Sequence, residues 1–322
     1  MRITLQPSGA VLEVQTGERI LDAARRLGYD CPQSCRNGNC HICAALLVEG
    51  RVRQGGAELD HGELFTCLAE PLGDCVLHWD GVLAPGELPL RELNCQLIEC
   101  AAVGGEVFRV RLRTPAGKLP RYHAGQYLLL QREDGEYAAF SLASAPHRGR
   151  ELELHILVRD EGTRALLEFL RRQGFARVQM PFGDTHLAEL PDGPLVLIAA
   201  GTGMAQMHSL IEHCRVTGFK YPVHLYWGAR RAEDFYQLAG WDEWLGLPNL
   251  FLHRVVSEQC GWQGRCGLLH EAVREDFADL KALHVYASGS PAMVYATLDA
   301  LVEAGMDAHQ MRADVFAYAP RG

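Results

Sequence analysis

Cys35, Cys40, Cys43 and Cys67 follow the pattern C-x₄-C-x₂-C, with the fourth Cys after a gap of 23 residues. Four thiolates at this spacing suit a plant-type [2Fe–2S] cluster: three sulfurs come from one tight loop and the fourth closes the site from a separate segment. Within the loop, Arg36-Asn37-Gly38-Asn39 supplies a glycine for positive φ and small or polar neighbours that let backbone N–H groups face sulfur. Zinc sites favour two close pairs, and the second pair is missing here. Zinc and buried structural thiols are the alternatives. Cys31 breaks the x₂ spacing and reads as a core thiol. A Rieske-type role for His41 would need two His in place of two Cys, whereas four Cys are present.

A second kind of chemistry is written at residues 195–204, Leu-Val-Leu-Ile-Ala-Ala-Gly-Thr-Gly-Met. An apolar strand runs into Gly201-Thr202-Gly203 and then, from Met204, into a helix. Two glycines let a phosphate approach the backbone, and the helix start offers unpaired N–H groups. The full G-x-G-x-x-G signature is absent, so the turn alone is weak. Its place at the carboxyl end of a strand strengthens it.

The elements that must position these residues fall into three textures. Residues 1–82 show two short alternating runs (3–6 and 11–15), a helix over 19–27, the Cys loop and a strand over 43–48, the order of a β-grasp ferredoxin. Residues 83–93 carry two Pro and one Gly without periodicity and read as a linker. Residues 94–190 hold short strands (107–112, 126–131, 138–143, 151–158, 177–180) and a helix over 163–172, which suggests an antiparallel barrel. From 191 strands and helices alternate: 195–200, 208–215, 223–227, 232–245, 250–256, 268–275, 283–287 and 291–304. That spacing means a doubly wound parallel sheet. The expected organisation is multidomain, α+β and α/β, with domains at 1–90, 91–190 and 191–322.

Apolar residues make up 48% of the 322, with a net charge of −9, and no apolar run approaches a membrane-spanning length. Residues 1–90 carry 12 acidic against 7 basic side chains, which disfavours nucleic acid and suits either a basic protein partner or ordinary solubility. The N-terminus lacks a secretory apolar stretch, and the seven further cysteines do not form a disulfide framework. Cytoplasmic residence is expected. His208, His213, His224 and His253 lack metal spacing and read as structural.

Several landmarks together resemble one family. Residues 29–43 look like a ferredoxin cluster loop, Phe140-Ser141-Leu142-Ala143-Ser144 like a flavin-binding strand, Pro181-Phe182-Gly183 like a barrel end, and 223–230 and 286–293 like a nicotinamide half. In this order they are similar to the NADH-dependent reductases of the ferredoxin–NADP reductase superfamily with a fused ferredoxin, which include oxygenase reductase components and CDP-6-deoxy-3,4-glucoseen reductases. Residues 205–319 are also similar to free flavin reductases. The resemblance implies a flavin-binding barrel and an NAD-binding domain. It places Ser141 at the flavin N5 edge, Phe140 on the ring and Leu142 beside them, with His155 and Ile156 as backbone contacts. Gly162, Thr163 and Arg164 would form a phosphate turn. Gly201, Thr202, Gly203, Met204, Gly228, Arg230, Ser288, Gly289, Pro291 and Met293 would hold the nicotinamide nucleotide, and Phe316 would shield the flavin. Without the resemblance, Ser141, Phe140 and Phe316 read as packing residues.

The chain departs from the family pattern at Ala138, where an Arg usually binds flavin phosphate, at Ser288, where many relatives have Cys, and at Gln206, where Pro often follows the turn. The implied activity is transfer of hydride from NADH to flavin (FAD, with FMN open) and of single electrons through the cluster to a protein partner, an oxygenase or a dehydratase. NADPH stays open because Arg230 and Arg231 follow the second strand. Two other readings are a free-flavin reductase and a non-catalytic redox sensor.

Overall fold

The structure is a computed structural model that describes residues 1–259 and 261–321, and the chain divides into two units, Met1–Pro89 and Leu90–Gly322. In the first unit, strand Arg2–Gln6 buries Ile3 and Leu5 and turns Arg2 and Gln6 outward, the period-2 pattern of a half-buried strand. It pairs antiparallel with Val11–Glu13 and parallel with Cys75–His78, and the sheet continues through Ala44–Glu49 to Gly62–Phe65. Helix Ile20–Arg26 lays Ile20, Leu21, Ala23 and Ala24 on this sheet. Arg25 and Arg26 fall in its last turn, where the helix dipole favours cations, and Arg26 also grips Glu18 at 2.8 Å. A mixed sheet wrapped on one helix is the β-grasp arrangement. Leu47, Leu64, Leu77 and Trp79 complete its core, and truncating one of these leucines to Ala costs about 2–5 kcal/mol.

The second unit begins with a strand that local patterning missed, Arg91–Gly104, whose first residues lie in the expected linker; Leu83 bridges instead to Asp30. Its charged and polar residues mask a long strand that pairs on both sides. The sheet order is Tyr137–Ser141, Tyr127–Gln131, Phe175–Phe182, Arg91–Gly104, Val107–Arg113, Glu151–Leu157, antiparallel throughout. A bridge between Leu142 and Leu154, with Ala143 N–H donating to Glu153 O at 2.7 Å, closes the sheet into a barrel.

The last sheet is parallel, in the order Arg265–Cys266, Leu250–Val256, Val223–Ala229, Leu195–Ala200, His284–Ser288, Met311–Arg312. Successive residues of Leu195–Ala200 feed two cores: Leu195, Leu197 and Ala199 pack on one face, Val196 and Ile198 on the other. Both faces are covered, as a run of apolar residues requires. The chain winds outward from Leu195–Ala200 in one direction and returns on its other side at His284–Ser288. That reversal creates the crevice where nucleotides bind in such sheets.

One expected helix is corrected. Residues 232–245 form only the turn Ala232–Asp234 and the short helix Trp241–Trp244. Phe235 and Tyr236 are drawn into the aromatic core beside Trp227, Gln237 N–H donates to Val103 O at 2.8 Å, and Gly240 takes φ 79°. Tertiary contacts override the helical pattern there. Cys266 is disulfide-bonded; Cys260 lies outside the described residues.

Candidate functional site

Strand pairing builds the thiolate site. Ala44 lies opposite Phe65, and Thr66 donates to Cys43 O from its N–H (3.1 Å) and its hydroxyl (3.0 Å). Cys43 and Cys67, just outside the paired strands, therefore meet with their sulfurs 3.2 Å apart. Cys35 and Cys40 form the second pair, the Cys40 N–H donating to Cys35 Sγ at 3.3 Å. The loop from Cys35 to Cys43 turns through positive φ at Arg36, Gly38 and His41. A Cβ on Gly38 would fall 2.7 Å from Leu68 Cδ1 and sit on a φ of 82°, so a larger residue would have to push the Leu68 side chain aside and adopt a strained backbone. Arg36 is tied to Asp22 by an ion pair.

The two pairs differ electrostatically. Backbone N–H groups, that of Asn37 foremost, bring the exposed Cys35 thiol down to about 7. Burial, and then the neighbouring Cys43, push Cys67 up to about 11 against the N–H of Gly38. Among the described residues no three His, Cys, Asp or Glu side chains converge on one ion. Two irons take two thiolates each. The donor set fits a two-iron cluster.

The second site is a cleft of about 760 Å³ between the barrel and the parallel sheet. Phe140, Ser141 and His155 line it from the barrel; Gly201, Thr202, Gly203, Gly228, Arg230, Ser288, Gly289 and Met293 line it from the sheet. The strand ends meet closely because Gly203 has no side chain: a Cβ there would stand 2.2 Å from Ser288 O. Trp227 Nε1–H donates to Gly201 O at 3.2 Å and fixes the turn. Ser290 caps the helix Pro291–Glu303 by accepting from Met293 N–H, so Pro291 starts that helix and does not line the cleft.

Several other expected residues sit elsewhere. Leu142, Ile156 and Met204 are fully buried in the cores. Phe316 packs on Tyr295 with ring centroids 5.5 Å apart. Gly162, Thr163 and Arg164 open the helix Glu161–Gln173, where Asp160 accepts from Thr163 N–H (2.7 Å) and Thr163 OH (2.9 Å). Arg164 faces Glu161 at 3.7 Å. A carboxylate thus already occupies the helix end that was expected to hold a phosphate. Arg159, two residues before the helix, lines the cleft instead.

Sequence reasoning missed Glu106, Asp234, Tyr236, Ser257 and His270, which also line the cleft. Tyr236 lay hidden in the misread helix. His270, in the second position of helix Leu269–Asp276, carries no local signal. Gln206, expected to be a minor departure, is 1% exposed and donates from Nε2 to Gly125 O (2.7 Å), Thr185 O (3.2 Å) and Asp314 Oδ2 (3.0 Å). It joins the barrel, the helix Met204–Thr217 and the C-terminal segment. Burial raises the Asp314 carboxyl against its bonds from Thr185 and Gln206.

Residues 3–72 match the 2Fe-2S iron-sulfur cluster binding domain and residues 197–299 the oxidoreductase NAD-binding domain. An NAD(P)H-flavin reductase of Vibrio harveyi is 31% identical over 70% of this chain and 99% of its own length. The chain belongs to the ferredoxin–NADP reductase superfamily. It is an oxidoreductase of the group with an N-terminal ferredoxin domain. Over its full length this reductase is 28% identical to reductase component 1 of terephthalate 1,2-dioxygenase from Comamonas sp, covering 98% of that protein. It is 29% identical to the CDP-6-deoxy-L-threo-D-glycero-4-hexulose-3-dehydrase reductase of Yersinia pseudotuberculosis, with 98% of each chain covered. The solved Amycolatopsis cytochrome P450 reductase superposes with a TM-score of 0.67 at 27% identity, over 98% of both chains. No helix among the described residues is long and apolar enough to cross a membrane.

Proposed function

We propose that this reductase oxidises NADH in the cleft and delivers electrons one at a time, through a cluster on Cys35, Cys40, Cys43 and Cys67, to a separate protein acceptor of the oxygenase or dehydratase type. The observation that carries this reading is the two-by-two pairing of four thiols in a unit fused to a nucleotide cleft. Bound FAD supplies the conversion between a hydride and two single electrons, which neither partner can perform alone. Phe140 offers the ring system an apolar face, and Ser141 offers it a hydroxyl. The Gly201–Gly203 turn and Arg230 receive the dinucleotide phosphates, while Ser288 and Met293 border the nicotinamide end. Arg231 is partly neutralised by Glu233 at 3.6 Å, which favours NADH over a 2′-phosphorylated cofactor. Cytoplasmic residence accords with nine cysteines that are free thiols among the described residues.

The test is NADH–cytochrome c reduction by the wild type and by Cys67→Ser, alongside EPR of the dithionite-reduced protein. A colourless, EPR-silent wild type overturns the reading.

A second reading, reduction of free flavin, is favoured by the Vibrio harveyi likeness and by the phosphate end of the barrel. Ala138 offers no charge there, and Asp160 fills the helix terminus. Replacing Ala138 by Arg adds a charge-assisted bond nominally worth about 1.5–3 kcal/mol, so FAD should bind at least tenfold more tightly by fluorescence titration. Unchanged affinity shows that the phosphate lies elsewhere.

A further inference from the structure

The cleft wall contains a chain of ionisable groups that the two sites do not use. His155, 6% exposed, lies between Tyr236 and Glu153: its Nδ1 is 3.0 Å from Tyr236 Oη and its Nε2 3.1 Å from Glu153 Oε1. Tyr236 and His155 both line the cleft, whereas the Glu153 side chain keeps 17% of its surface open to solvent. The groups facing the imidazole from neighbouring elements are Arg109, opposite it on the paired strand and itself bonded to Glu99, and His208, edge-on at 5.9 Å from Met204–Thr217. Burial holds His155 below its ordinary value, against the pull of Glu153. Burial also acts to raise Glu153, yet the His155 bond and the charge of Arg109 leave it below the usual carboxylate value. An ionised carboxylate only accepts, so Nε2 carries the proton towards Glu153 and Nδ1 accepts from the phenol.

We infer that Tyr236, His155 and Glu153 form a proton relay from the cleft to solvent. The inference rests on the proposed activity: NADH → NAD⁺ + H⁺ + 2 e⁻ leaves one proton in the cleft for every electron pair sent on. That proton binds Tyr236 Oη while the phenolic proton passes to His155 Nδ1. The Nε2 proton passes in the same motion to Glu153, whose carboxyl releases it to water. One proton enters and one leaves, no electron moves along the relay, and His155 must revert from the Nδ1–H to the Nε2–H tautomer before the next proton passes. Because Tyr236 comes from the sheet domain and His155 from the barrel, the relay is complete only where both halves of the cleft are in place.

The experiment is NADH–ferricyanide reduction by Tyr236→Phe and Glu153→Gln. Ferricyanide accepts electrons without the cluster, so a failure of the cluster proposal leaves this test intact. Both variants should lose roughly a hundredfold or more in kcat, the low side of what positioned proton transfer contributes. They should regain rate as imidazole buffer is added, with KM for NADH little changed. Histidine ¹⁵N NMR of the wild type as isolated should show neutral His155 protonated on Nε2 at pH 7.5. A rise in KM at unchanged kcat without buffer rescue would mean that the three groups are only a strut. An imidazolium or an Nδ1–H tautomer at that pH likewise overturns the relay. If Tyr236→Phe fails to fold, Glu153→Gln and the NMR spectrum decide.

Discussion

The thiolate loop and the nucleotide cleft solve the same problem, the placement of a redox group, in opposite ways. Three of the four sulfurs lie within nine residues, and one strand pair, Ala44 opposite Phe65, brings in the fourth. The cleft is assembled from segments as distant as Ser141, Gly203 and Met293, and its shape depends on how the barrel and the sheet meet. A local site fails by losing a ligand. A distributed site fails by losing alignment, so the two should break differently.

The largest effect is expected at the loop. Cys67→Ser replaces a buried thiol with a harder oxygen donor at the position that closes the site. Cytochrome c reduction and the reduced-state EPR signal should both be lost, while NADH–ferricyanide reduction survives. Loss of both activities together would show that the cleft depends on the cluster and would remove the contrast between the sites. Next comes Gly203→Ala, whose methyl would press on Ser288 O and force the two strand ends apart. Overpacking of this kind costs roughly 1–3 kcal/mol. Misplacing a bound reactant by about 1 Å costs on the order of a hundredfold. Ferricyanide and cytochrome c activities should therefore fall together, with the cluster spectrum intact.

The contrast also explains what was legible in the sequence. Cys35, Cys40 and Cys43 could be read because their ligand geometry is a spacing along one loop. Gly201 and Gly203 could be read because a turn between strand and helix is equally local. Tyr236 could not, because its role is set by a partner 81 residues away and its neighbours follow a helical pattern that the aromatic core overrules. Arg91–Gly104 was hidden for a related reason: pairing on two sides, rather than its own alternation, makes it a strand. Gln206 was dismissed as a substitution in a motif, although its three acceptors lie on other segments of the fold.

Gln206 tests alignment without touching the cleft. Gln206→Leu strips the donor from Gly125 O, Thr185 O and Asp314, and buried groups left unpaired cost about 1–3 kcal/mol. The unfolding free energy of the second unit, read from urea titration, should fall by that amount. In combination with Asp314→Asn, the two losses should be less than additive, since they share one bond. Strict additivity in the double-mutant cycle would mean that Gln206 acts through the barrel alone.

The mildest perturbation is pH, and it too should separate the two units. His147, His155, His186, His213, His224 and His253, all in the second unit, are held below their ordinary values, in each case chiefly by burial. A histidine depressed in the folded state binds fewer protons there than in the unfolded chain once pH drops below about 6.5. Its contribution is therefore complete above that pH and is lost as pH falls towards the folded values. Lowered carboxylates such as Glu99 and Glu151 follow the same sign, but from the ordinary carboxylate value of 4.5 downward. Between pH 7.5 and 5.5 the loss of stability should accordingly come from the histidines and be confined to the barrel and the parallel sheet. Four of the five tryptophans lie in that unit, so fluorescence-detected urea unfolding should follow it, while visible circular dichroism of the cluster follows the other. Equal shifts in both signals would mean that the two units unfold as one and that the acid response does not belong to the histidines of the cleft side.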